Sequence, residues 1–200
     1  IAELMHTVQF AAIKHRDQRR KDQYNSPYIN HPIGVACNVI NIGKVYDHAT
    51  IQAALLHDTV EDTATTEQEL IDTFGAHVAQ LVMDVTDDKK LSKVDRKRHQ
   101  IEHAPHIHQQ AKIVKMADKL YNLSDIINNA PAAWSLEIIQ GYFVWGKAVC
   151  QGLRGVNKGL EEALDKLFVS NIIYKGQSYP VIPCKPEEET AFLEGYYKLL

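Results

Sequence analysis

Residues 53–63 read AALLHDTVEDT, and both the fold and the chemistry of the chain follow from how this stretch is read. The apolar run Ala53-Ala54-Leu55-Leu56 has the character of a segment entering a core. It leads directly into His57-Asp58, then Thr59-Val60, then Glu61-Asp62, so that three carboxylates and one imidazole fall within six residues. Gathering like charges beside apolar surface is costly unless a counter-charge is present. In a helix, residues four apart share a face, which would set Glu61 above His57 and Asp62 above Asp58 as two tiers. Either the acids form a solvated helix end, or the first tier holds a cation and the second addresses what binds to it.

The surrounding sequence is helical in its periodicity. Leu4, Val8, Ala11, Ala12 and Ile13 form the apolar stripe of a first helix ending near Lys14-His15-Arg16. Asn25-Ser26-Pro27 signals a turn, and Pro32 suits the first turn of a second helix carrying Val35, Val39 and Ile40. Asp47 or Thr50 caps a third helix that reaches the quoted stretch. Thr65 and Thr66 precede another, and Gly75 separates it from the next. The charged run DDKKLSKVDRKRHQ (residues 87–100) enters a polar helix that Pro105 breaks. Long helices are then expected over residues 109–128, 135–153 and 157–168. No stretch of this body alternates with period two, so the fold class is all-α, a compact multi-helix bundle. From about Ser170 the spacing of Tyr174, Gly176, Tyr179, Pro180, Pro183 and Pro186 predicts an irregular, extended C-terminal tail, with a short helix over 187–200. Residues 1–168 therefore read as one domain and 169–200 as an extension.

Composition narrows the function. With 45% apolar and 24% charged residues the chain is globular rather than disordered, and a formal charge of -3 leaves no basic footprint for nucleic acid. No apolar run approaches the ~18 residues needed to span a bilayer, and Ile1 opens no signal-peptide pattern. Three scattered cysteines, Cys37, Cys150 and Cys184, lack metal-type spacing and suit a reducing, cytoplasmic setting. Small anionic ligands at a local basic pocket remain the compatible partner class, and the oligomeric state is not specified.

Further ligands for a cation are found at a distance. Asn30-His31-Pro32 puts a histidine at the mouth of the second helix, and Asp118 stands in the apolar stripe of Lys115-Met116-Ala117-Asp118-Lys119-Leu120. Each alone has an ordinary reading, His31 as a cap and Asp118 as the partner of a lysine on a neighbouring helix. Together with His57 and Asp58 they make a mixed nitrogen and oxygen donor set suited to a divalent metal. His103, His106 and His108 bracket Pro105 but have no carboxylates in helical register, so they read as a polar loop. Trp134, Phe143 and Trp145 read as core aromatics.

The order His31, His57-Asp58, Asp118 resembles the metal site of HD-domain phosphohydrolases. More narrowly, RRKDQYNSPYINHPIGVA, AALLHDTVEDT, FGAHVAQLVMDVTDDKK and KIVKMADKLYNL are similar to the hydrolase domain of the RelA/SpoT family, over residues 5–168. The resemblance implies an all-helical HD-type metal-dependent hydrolase domain over residues 1–168, without the synthetase domain of long bacterial members. It implies hydrolysis of guanosine 3′,5′-bis(diphosphate) to guanosine diphosphate and pyrophosphate, with one Mn²⁺ per chain. By the same resemblance His31, His57, Asp58 and Asp118 are the metal ligands, and Glu61 and Asp62 the catalytic pair. Arg20 and Lys21 correspond to base contacts, with Tyr28 on the same wall, Asn122 a ribose or base contact and Tyr142 an aromatic near the phosphates. Lys93, Arg96, Lys97 and Arg98 offer charge to phosphates, or else form a solvated helix face. Ser124 and Ile138 stand where the family often carries arginine, which puts phosphate binding or nucleotide preference in question. Two other functions fit the same residues: an NADPH 2′-phosphatase using the same metal site, and a nucleotide sensor that binds without hydrolysing.

Overall fold

The computed structural model describes residues 1–200. Local capping chemistry sets where most helices begin. Helix α1 spans Ala2–Lys14, α2 Asn30–Asn41 and α3 His48–Leu56. The single turn α4 spans Thr59–Asp62, followed by α5 over Glu67–Phe74 and α6 over Ala76–Asp84. Then come α7 (Lys93–His103), α8 (Gln109–Asn129), α9 (Leu136–Gln151) and α10 (Lys158–Phe168). The side chains of Asp47, Thr66, Ser92, Ser135 and Asn157 each accept a backbone N–H of the first turn they precede. Gly75, at φ +91°, turns the chain between α5 and α6.

Helix α8 runs through the middle of the bundle, packed against α2, α3, α9 and α10. Helix α3 is buried on every side from Thr50 to Leu56, as expected of a segment apolar all round. That burial carries His57 and Asp58 into the interior. Close approach of α2 to α8 depends on Gly34, where a Cβ would sit 2.1 Å from the ring of Tyr121.

Two expectations are corrected. The helix of the quoted stretch does not run on: it ends at Leu56, and His57-Asp58 form a bend before α4, with Asp58 at φ -100°, ψ 0°. Side chains have taken over the last carbonyls of α3. His57 Nδ1 bonds to the Ala54 carbonyl at 2.7 Å and Thr59 Oγ1 to that of Leu56 at 2.7 Å, competing with the backbone ladder. The Asp62 N–H still reaches the Asp58 carbonyl at 3.0 Å, so the acids remain one turn past the ligand pair.

The tail is not irregular. Strands β1 (Asn171–Tyr174) and β2 (Gln177–Pro180) pair antiparallel, with Asn171 opposite Pro180 and Tyr174 opposite Gln177. Lys175 and Gly176, at φ +49° and +81°, make the two-residue turn whose twist suits a hairpin. Pro180 is tolerated because β2 is an edge strand. Helix α11 (Glu189–Tyr197) then folds back on α9, and Ile172, Val181, Leu193, Tyr196 and Tyr197 are buried in the common core. No helix is long and apolar enough to cross a membrane.

Candidate active site

Four side chains from three parts of the chain meet in the interior. His31 comes from the start of α2, His57 and Asp58 from the bend after α3, and Asp118 from the middle of α8. His31 Nε2 lies 3.2 Å from His57 Nε2. Asp118 Oδ1 is 3.0 Å from His31 Nε2 and 3.4 Å from His57 Nε2, and Asp58 Oδ2 is 3.5 and 3.1 Å from the same two nitrogens. Because His57 Nδ1 is committed to the Ala54 carbonyl, its Nε2 presents a lone pair to these neighbours in the neutral ring. Electron-rich atoms facing each other at this range repel unless protons or a cation intervene. Ligands about 3 Å apart are what a six-coordinate divalent cation requires, with bonds of about 2.1 Å. The donor set and its spacing therefore fit a divalent metal.

The electrostatics of the cluster agree. Burial opposes the imidazolium of His57, but the carboxylates of Asp58 and Asp118 outweigh it and hold the ring well above its ordinary range. Burial likewise opposes ionisation of Asp58 and Asp118, yet the two histidines keep both carboxyls below the usual carboxylate range. Positive charge is what this pocket selects. Tyr28 adds a hydrogen bond from its hydroxyl to Asp58 Oδ2 at 2.6 Å, and Asn122 Nδ2 donates to Asp118 Oδ1 at 3.0 Å. His31 Nδ1 is buried without a partner, so that ring is fixed by packing against Tyr28 and Tyr121.

Glu61 and Asp62 line the same cavity of about 240 Å³. Glu61 Oε1 accepts the backbone N–H of Asp87 at 2.7 Å. Burial, with the nearby carboxylates of Asp87, Asp58 and Asp62, pushes the Glu61 carboxyl up to about 7. Asp62 accepts from Gln18 Nε2 at 3.3 Å and lies 3.4 Å from Lys89 Nζ.

The residues expected to contact substrate divide. Tyr28, Asn122 and Tyr142 line both this cavity and an adjoining cleft, which Arg20 and Lys21 share with Trp134 and Asp125. Arg20 is held there by Asp125 at 2.8 Å, with its guanidinium 5.9 and 5.6 Å from the ring centres of Tyr28 and Tyr121. Lys93 and Arg98 do not reach the cavity: Lys93 is exposed at the start of α7, and Arg98 turns outward to Glu194 of α11 at 3.0 Å, over the ring of Tyr197. One residue is about 100° of helix, so the inward member of the basic run is Lys97. Ser124 and Ile138 line neither space. His103, His106 and His108 form no metal-type group; the one such group in the chain is His31, His57 and Asp118.

Sequence reasoning missed Asp87, Gln100, Lys115 and Lys119, all of which line the cavity. A signal existed for the lysines, since Lys115 and Lys119 stand four apart around Asp118 within the stretch of α8 that also carries Ile113, Val114, Met116, Ala117 and Leu120.

The HD-domain family model matches residues 7–139. The guanosine-3′,5′-bis(diphosphate) 3′-pyrophosphohydrolase MESH1 of Danio rerio is 56% identical over 168 residues, covering 84% of this chain and 93% of the relative. The MESH1 of Homo sapiens is 54% identical over 167 residues, at 84% and 93% coverage. A solved structure described as a metazoan ortholog of SpoT that hydrolyzes ppGpp and plays a role in starvation responses superposes with a TM-score of 0.82. It is 46% identical, covering 84% of this chain and 94% of that one. The chain is an HD-domain phosphohydrolase. Within that class it belongs to the MESH1 family of SpoT-related hydrolases.

Proposed function

We propose that the chain hydrolyses the 3′-pyrophosphate of guanosine 3′,5′-bis(diphosphate), releasing guanosine diphosphate and pyrophosphate. The observation that carries this reading is the convergence of His31, His57, Asp58 and Asp118 with two further acids, Glu61 and Asp62, on one cavity. The first four would hold one Mn²⁺, which when bound would supply positive charge to the phosphoryl oxygens and make water more acidic. Glu61, a carboxylate held in the cavity by the Asp87 N–H, takes a proton from the attacking water. Asp62 orients the water. The water oxygen bonds to the phosphorus nearest the ribose, the bond from that phosphorus to the 3′-oxygen breaks, and the 3′-oxygen leaves on the nucleoside as a hydroxyl, taking up the proton that the water gave to Glu61. Arg20, Lys21, Tyr28, Asn122 and Tyr142 line the cleft assigned to the nucleoside, where a guanidinium plane can stack on a purine. Residues 1–168 form the hydrolase domain in this reading and 169–200 an extension docked on it. Three free cysteines suit a cytoplasmic enzyme.

A 2′-phosphate on NADPH presents similar geometry to the same groups and is the competing substrate. Side-by-side kcat/KM values on the bis(diphosphate) and NADPH decide between them. Asp62→Ala is expected to retain its metal and lose turnover; undiminished activity in that variant, or nucleotide binding without any phosphate release by the metal-loaded wild type, would overturn the hydrolase reading.

A further inference from the structure

We infer that Lys97, Lys115 and Lys119 form a second anion subsite beside the metal ligands, which holds the terminal phosphate of a pyrophosphoryl group and favours pyrophosphoryl over monophosphoryl esters. The inference rests on the hydrolytic reading of the same cavity and adds to it what the deep end of that cavity is for.

Lys115 and Lys119 are only 8% and 3% exposed. Lysines are almost never buried so far without a partner. Here none of the three ammonium groups makes a hydrogen bond to the protein. Lys97 and Lys115 take part in no ion pair, and Lys119 has one carboxylate neighbour, Asp118 Oδ2 at 3.7 Å, beyond hydrogen-bond range. All three line the cavity shared with the metal ligands. Aromatic rings face two of them: Lys97 Nζ lies 3.6 Å and Lys119 Nζ 4.2 Å from the centre of the Trp145 ring, and Lys97 Nζ is 4.8 Å from that of Tyr142, while Lys115 has no ring beside it and feels the carboxylates of Asp87, Asp118 and Glu61 only at longer range. Aromatic faces attract and position cations without cancelling their charge.

The cluster works against its own stability when empty. Lys115 and Lys119 are like charges four apart on α8, an arrangement that repels. Burial, then the charge of Lys119, pushes Lys97 down to about 7, and the same two causes lower Lys115. A simple counterweight to the acids of the site would show short pairs to Glu61, Asp62 or Asp87, and none of the three lysines makes one. An anion is the missing partner. Its place relative to the metal ligands selects which anion: Lys119 is the next residue after Asp118 in α8, so a phosphate on the lysines lies beside a phosphoryl group on the metal ligands. A terminal phosphate of a pyrophosphoryl group carries close to two charges and accepts several hydrogen bonds, whereas a monophosphate ester leaves the lysines unmet.

The experiment measures pyrophosphate and orthophosphate binding to the manganese-loaded full chain, by calorimetry and as competitive inhibitors, in the wild type, Lys97→Met, Lys119→Met and Lys119→Arg. The wild type is expected to bind pyrophosphate about tenfold or more tighter than phosphate, and each Met variant to lose that preference while its phosphate affinity stays nearly constant, as expected for loss of a charge-assisted hydrogen bond. Lys119→Arg retains most of it. Melting of the anion-free proteins gives a second sign: the Met variants should melt at or above the wild type, because a buried unpaired charge has been removed. An unchanged pyrophosphate preference in the Met variants, or equal weakening of both anions, overturns the subsite. If Lys119→Met does not fold, Lys97→Met reads the same ratio. Loss of the preference in a protein with no hydrolytic turnover keeps the subsite and overturns the hydrolase reading; intact turnover with no preference does the reverse.

Discussion

Replacing Glu61 by glutamine separates what this residue does for catalysis from what it costs the fold. Glu61 is drawn up from 4.5 to about 7, chiefly by burial and then by the carboxylates of Asp87, Asp58 and Asp62, with the Asp87 N–H partly offsetting them. A difference of about 2.5 pKa units corresponds to about 3 kcal/mol of folding free energy. The sign follows from the raised value: the folded state holds this proton more tightly than the unfolded chain. Stability contributed by the protonated form is fully present below pH 4.5 and is lost as pH rises through about 7. Glutamine does not titrate and can still accept the Asp87 N–H. Glu61→Gln should therefore match the wild type near pH 4.5 and exceed it at pH 8 by about 1–3 kcal/mol, or roughly 4–8 °C in Tm for a gain of about 2 kcal/mol in a chain of this size. Urea or thermal unfolding of chelator-treated protein at both pH values measures it. With metal bound the gap should narrow, since a cation near Glu61 stabilises its charge. Turnover should fall by about 10²–10⁴ with loss of the general base. A variant that is less stable than the wild type at pH 8, or whose advantage does not grow with pH, would refute the assignment of Glu61 as a buried, charge-strained acid.

Chelation of the metal should abolish turnover and Mn²⁺ should restore it, read as pyrophosphate release before and after dialysis. Tyr28→Phe removes the 2.6 Å hydrogen bond to Asp58 and should weaken metal binding by about 10–100-fold, measured by metal titration against a competing chelator. Arg20→Ala breaks the 2.8 Å pair with Asp125 and should raise KM more than it lowers kcat, seen in steady-state kinetics on the bis(diphosphate). Gly141→Ala puts a Cβ 2.1 Å from the Tyr196 ring and should cost about 1–3 kcal/mol by forcing α11 off α9, detected by denaturation and by protease cleavage after residue 185.

By itself the sequence determined most of the helices and singled out His31, His57, Asp58 and Asp118, which the fold brings together. Caps such as Asp47, Thr66, Ser135 and Asn157 act on the turn they adjoin, and apolar stripes repeat with the helix period, so both are written in neighbouring residues. The order of His31, His57-Asp58 and Asp118 was legible because few side chains can bind a divalent cation and the apolar setting of Asp118 demands a partner. Tertiary structure decided the rest. The kink at His57-Asp58 depends on side chains capturing carbonyls of α3. The outward turn of Arg98 and inward turn of Lys97 depend on where α11 and α9 pack against α7. The short terminal helix was legible, but the extended part of the tail paired into a hairpin and docked because Ile172, Val181 and Tyr196 found a core to join, which no local pattern announces. Lys115, Lys119 and Asp87 entered the site for the same reason: a periodic stripe tells which face of a helix is buried, but only the neighbours across that face tell whether the space there is filled with hydrocarbon or left open for charge.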